Sequence, residues 1–171
     1  MSQHTRIFLI GPMGAGKTTI GRRLARALKC RFIDCDHELE RRTGATISLI
    51  FDIEGEAGFR QRERRLIDEL TQLEETVLAT GGGAVLDADN RAAFATRGFT
   101  VYLHAGLEAL LARTRNDVNR PLLQTNDRVA RLQGIIAERG ALYRDTARIS
   151  IDTSAFSIGE TVTRIREAIS V

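Results

Sequence analysis

The chain has 171 residues, of which 43% are hydrophobic, 27% charged and 5% aromatic, and its formal charge is +3. A single domain of that size buries about two-thirds of its unfolded surface, which excludes a disordered chain, and no apolar run approaches the ~18 residues of a membrane span. Met1–Arg6 lacks the layout of a secretory signal, and Cys30 and Cys35 neither build a disulfide framework nor meet histidines at zinc spacing, so a reduced, cytoplasmic protein is expected.

Arg6–Ile10 is a short apolar run that predicts a strand. It ends at Gly11-Pro12-Met13-Gly14-Ala15-Gly16-Lys17-Thr18, which fits G-x-x-x-x-G-K-[ST]. From Thr18 the period turns helical, with Ile20, Leu24, Ala27 and Leu28 on one side. Strand, glycine loop and amphipathic helix are the context that this motif needs to hold phosphate. Glycines let the backbone curl so that its N–H groups face phosphate oxygens, and the helix N-terminus adds partial positive charge. Gly14, Ala15, Gly16, Lys17, Thr18 and Thr19 are therefore the candidate ATP-binding residues of the loop. Lys17 reaches the β- and γ-phosphates, and the Thr18 hydroxyl suits Mg²⁺.

Arg31–Asp34 predicts a second strand, followed by helical residues to Arg42 and a stop at Gly44. Asp34 and Asp36 stand two apart where that strand runs out. In extended chain both carboxylates face one site, where one serves Mg²⁺ and the other an acceptor hydroxyl; alternatively Asp36 only caps the next helix. Cys35, between them, reads as a small core residue. A short helix over Thr46–Ile53 and a longer one from Glu56 follow, the second carrying Phe59, Leu66, Ile67 and Leu70 on its apolar side.

Thr76–Thr80 predicts the third strand, cut off by Gly81-Gly82-Gly83. Three glycines at a strand end give up stability, which favours close approach of a ligand over a plain turn. A helix over Asp87–Arg97, a strand over Phe99–Leu103 and a helix from Leu107 come next. The polar stretch Asn116–Asn126 has the length and composition of a mobile lid, spanning about 114–126. A helix through Leu132, Ile136 and Tyr143, a strand over Arg148–Ile151 and a helix through Ile158, Val162, Ile165 and Ile169 complete the chain. Strands alternating with helices predict one α/β domain over 1–171, with a parallel sheet covered on both faces.

Arginine supplies 23 of the 25 basic residues, the others being Lys17 and Lys29. With both signs mixed along the chain, no nucleic-acid partner is expected. Arg60, Arg120 and Arg139 each read, on side-chain chemistry alone, as solvated surface arginines. Arg60 stands near a helix start, where a cation is unfavourable unless an anion site offsets it.

The phosphate loop, Phe32–Asp36, Ile50–Arg60, Ala79–Gly83, Arg120–Leu123, Glu138-Arg139 and Leu142-Tyr143 together resemble shikimate kinase from end to end. That resemblance implies a P-loop NTPase three-layer sandwich, strand order 2-3-1-4-5, and transfer from ATP to the 3-hydroxyl of shikimate in aromatic amino acid biosynthesis. It implies a shikimate-binding region at about 36–64, Lys17, Asp36 and Arg120 as catalytic residues, and Arg113 on adenine. Asp36, Arg60, Gly81, Gly82, Gly83 and Arg139 would bind shikimate, and Thr18 and Asp34 would hold Mg²⁺. ATP and shikimate would be the partners of a monomer that binds neither membrane nor nucleic acid. A gluconate or nucleoside monophosphate kinase and a nucleotide-binding regulatory module are the rival readings.

Overall fold

The computed structural model describes residues 5–116 and 127–170. Five strands, β1 (Arg6–Ile10), β2 (Arg31–Asp34), β3 (Thr76–Ala79), β4 (Phe99–His104) and β5 (Ile149–Asp152), form one sheet in the order β2-β3-β1-β4-β5. Every pairing is parallel, with Ile7 beside both Val77 and Phe99. Parallel strands need crossovers, and these are the helices α1 (Lys17–Leu28), α2 (Cys35–Thr43), α3 (Ile47–Leu70), α4 (Ala88–Arg97), α5 (Leu107–Thr114) and α6 (Arg128–Thr146), with α7 (Ile158–Ile169) closing the chain.

The alternation of side chains along β1 separates two cores. Ile7 and Leu9 join Leu24 of α1 and Ile165 of α7 on one face. Phe8 and Ile10 join Phe59 and Ile67 of α3, Phe94 of α4 and Tyr143 of α6 on the other. Burial on both faces explains why β1 is apolar from Ile7 to Ile10 rather than alternating.

Local signals end the helices where expected. Gly44 closes α2 at φ 68°, and Asp87 caps α4 by accepting from the Asp89 and Asn90 amides. The two helices expected around residue 55 form one run, Ile47–Leu70, broken at Gly55, whose φ of 71° and ψ of 179° are not helical. Thr114, at the near end of the expected lid, is the last residue of α5, buried, with its hydroxyl donating to the Leu110 carbonyl. Most of the expected lid, including Arg120, lies outside the described residues.

Candidate active site

The loop from β1 to α1 turns through positive φ at Gly11 (147°), Gly14 (83°) and Gly16 (100°). At Gly11 the demand is also steric, because a Cβ there would lie 2.1 Å from the Leu103 carbonyl oxygen of β4. Lys17 folds back over the loop, its Nζ donating to the carbonyls of Gly11 at 2.7 Å and Pro12 at 2.9 Å. The Thr18 hydroxyl donates to Asp34 Oδ2 at 2.7 Å, and Asp34 Oδ1 accepts from the His37 amide at 3.1 Å. Asp34, and not Asp36, is thus the cap of α2. The strand ends at Asp34, so Asp36 stands in the first turn of the helix instead of one pleat further along an extended chain.

Thr18 and Asp34 fit Mg²⁺. They set two hard oxygen donors side by side at the mouth of the loop, and this ion takes few protein ligands and keeps phosphate oxygens and waters for the rest.

The three glycines after β3 bring the second half of the site together. A Cβ on Gly81 would lie 2.9 Å from Glu63 Oε2 and 3.1 Å from Asp36 Oδ1. One on Gly83 would lie 2.2 Å from Arg60 Nη2. On Gly82 it would meet only ordinary contacts, the Met13 amide nitrogen at 3.5 Å and Arg139 Nη1 at 3.7 Å. A side chain at 81 or 83 would thus displace the ends of Glu63 or Arg60, while one at 82 would stand in ordinary contact with Arg139 and the phosphate loop.

Around this turn several polar side-chain atoms are buried and unpaired. Arg60 Nη1 donates to Glu63 Oε1 at 2.9 Å and its Nη2 to Glu56 Oε1 at 3.4 Å, so acids of α3 itself offset the cation. Arg139 is 2% exposed and Glu63 3%. Among the described residues, Arg60 Nε, Glu63 Oε2, and Arg139 Nε and Nη1 have no hydrogen-bond partner. Buried polar atoms left in this state cost about 1–3 kcal/mol each, which fits a ligand-binding cavity better than a structural core. Burial pushes the Glu63 carboxyl up to about 7, with the nearby Asp36 charge adding to the rise and the Arg60 guanidinium opposing it.

The model of the shikimate kinase family matches residues 13–170. Two curated shikimate kinases are similar over nearly the whole chain. That of Halorhodospira halophila is 53% identical, covering 96% of this chain and 93% of its own. That of Aromatoleum aromaticum is 52% identical, covering 95% and 93%. The solved shikimate kinase of Acinetobacter baumannii in complex with shikimate superposes with a TM-score of 0.95, at 47% identity and over 98% of this chain and 93% of that one. This chain belongs to the shikimate kinase family.

Within that family framework, the described candidates fall in two adjoining groups. Gly14, Ala15, Gly16, Lys17, Thr18, Thr19 and Asp34 surround the phosphate loop. Asp36, Arg60 and Arg139 gather at the turn of Gly81, Gly82 and Gly83 beside it. Arg113 borders a separate pocket of about 180 Å³ with Gly16, Thr19, Thr153, Phe156 and Ile158. Its Nη1 donates to the Gly14 carbonyl at 3.0 Å and to the Thr153 hydroxyl at 3.1 Å.

Thr153 borders the same pocket, and its hydroxyl donates to the Ala15 carbonyl at 2.8 Å, tying the end of β5 to the phosphate loop. Two residues escaped the sequence reading. Glu63 stands three after Arg60, a helical ion-pair spacing that is legible but common. Tyr143 passed as a core residue, although its hydroxyl donates to the Gly82 carbonyl.

Proposed function

We propose that this chain transfers the γ-phosphoryl group of ATP to the 3-hydroxyl of shikimate, giving ADP and shikimate 3-phosphate, as a monomeric cytoplasmic enzyme of aromatic amino acid biosynthesis. One observation carries the reading: the glycine turn packed against the phosphate loop also faces a buried guanidinium with two unpaired nitrogens, and a carboxylate stands close by. Shikimate is a small ring bearing one carboxylate and three hydroxyls. Forked guanidiniums match its carboxylate through paired hydrogen bonds, and an acid matches its hydroxyls.

Arg139 and Arg60 hold the carboxylate, and the glycines let the ring lie against backbone. Asp36 accepts a hydrogen bond from the 3-hydroxyl and takes its proton as that oxygen bonds to the γ-phosphorus. The bond to the bridging oxygen breaks and ADP leaves. Lys17 leaves its carbonyl partners to follow the β- and γ-phosphates, and Arg120 meets the charge on the transferring group. Thr18 and Asp34 would hold Mg²⁺, which when bound neutralises phosphate oxygens. Arg113 and the pocket beside Thr153 and Phe156 take the adenine.

A coupled ADP-release assay across shikimate, gluconate and nucleoside monophosphates tests this. Shikimate is expected to be used at least about 100-fold more efficiently than the others, a discrimination that hydrogen-bonded recognition readily supplies. Equal turnover of gluconate would reassign the acceptor.

A further inference from the structure

The acceptor cavity has two walls that are far apart in the chain, the glycine turn after β3 and the helix α6 that carries Arg139. The side chain that joins them is Tyr143, one helical turn beyond Arg139. Its phenol is 1% exposed, and its hydroxyl donates to the carbonyl of Gly82. Arg139 faces the same turn, its Nη1 3.7 Å from where a Cβ on Gly82 would stand, so the phenol ties the helix that carries the guanidinium to the backbone it faces. The ring itself is held by stacking on Tyr102 of β4, with centroids 5.0 Å apart and planes inclined by 21°. Stacking fixes the ring in the core, and the ring then fixes how far Arg139 stands from the Gly82 backbone.

We infer that Tyr143 is a positioning residue for the acceptor, setting the gap between Arg139 and the glycine turn into which the shikimate carboxylate fits. At Gly82 a Cβ would stand in ordinary contact with Arg139 Nη1, so the guanidinium is within reach of a small group resting on this backbone. A phenol is suited to the task because a rigid ring carries its donor to the carbonyl while the ring stays in the core. Among the described residues the hydroxyl bonds to the Gly82 carbonyl and to no group of the phosphate loop. Its loss should therefore act on one substrate only. The inference rests on the shikimate reading above, and its test is arranged so that the two can fail separately.

Tyr143→Phe keeps the ring and its stack while deleting the oxygen. It is expected to raise KM for shikimate about 10-fold, the size of one buried hydrogen bond whose carbonyl is left unpaired, with KM for ATP unchanged within about twofold. Tyr102→Phe keeps the stack and is expected to leave both constants as in the parent. A second measurement needs no Tyr143 variant. The chain has no tryptophan and only two tyrosines, so in Tyr102→Phe all tyrosine emission comes from Tyr143. Saturating shikimate should change that emission, and ATP alone should not. A parent chain that neither binds nor phosphorylates shikimate overturns the functional reading and this inference with it. If the parent does use shikimate, a KM for shikimate that stays within about twofold in Tyr143→Phe overturns the role of Tyr143 alone. So does an equal rise for ATP, or emission that ignores shikimate.

Discussion

Asp36 and Glu63 are both acids near the same glycine, but their settings differ. Asp36 lies in the first turn of α2, where the helix N-terminus favours a negative charge. That suits a carboxylate that must be ionised before it accepts a proton. Asp36→Asn is expected to lower kcat by about 10²–10⁴ with little change in ATP affinity, as seen by comparing steady-state rates with nucleotide titration. An Asn variant with full activity would remove the base from the mechanism.

Glu63 is the opposite case. Its carboxyl is raised from 4.5 to about 7, chiefly by burial. The folded chain thus keeps a proton there that the unfolded chain has released. The resulting contribution to stability is complete below about pH 4.5 and is lost as pH rises through about 7. The loss amounts to roughly 3 kcal/mol at most. Thermal melts of the ligand-free chain across that window should show a downward slope that Glu63→Gln flattens. An unaltered slope in the variant would assign the pH dependence to other groups. Nothing in the sequence marked this acid, because helical spacing announces an ion pair with Arg60 but not burial at 3% exposure.

Among the elements, α3 has the most unusual construction. Gly55 bends it at φ 71° and ψ 179°, in a region that only glycine enters without strain. A Cβ at this position would meet nothing within 4 Å, so the demand comes from the backbone alone. Across the bend Glu54 and Arg62 form a two-pronged ion pair at 2.7 and 2.8 Å. The second half of the helix seats Phe59 in the core and brings Arg60 and Glu63 against the Gly81–Gly83 turn. Gly55→Ala should therefore cost about 1–3 kcal/mol of stability, lowering Tm by roughly 2–10 °C. It should also raise KM for shikimate more than KM for ATP. A variant that matches the parent in Tm and both constants would show that the bend is soft. The bend was readable as a gap between two helical patterns at residues 54–55, though the ion pair that spans it was not.

At the scale of the whole molecule, the site gathers groups from both edges of the sheet and both of its cores. Thr153, just past β5, links that edge strand to the phosphate loop through Ala15, and to α5 through Arg113. Thr153→Val removes the hydroxyl at nearly constant volume. It is expected to raise KM for ATP several-fold, as one buried hydrogen bond implies, while KM for shikimate stays the same. Equal effects on the two substrates would mean that Thr153 supports the fold in general and not the nucleotide side.

The phosphate loop, the strand and helix alternation and the glycine run were all determined by sequence, because each depends on residues adjacent in the chain. A loop needs its glycines within eight positions, and a helix or buried strand shows its period over a dozen. The arginines could not be sorted in that way. Arg60 and Arg139 are 79 positions apart among 23 arginines, and side-chain chemistry alone assigned them to the surface. Only the order of the sheet, with β3 beside β1, carries the Gly81–Gly83 turn to the phosphate loop, where α3 and α6 close over it. That contact is what buries Arg139 and leaves two of its nitrogens without a hydrogen-bond partner, a state that no pattern along the chain announces.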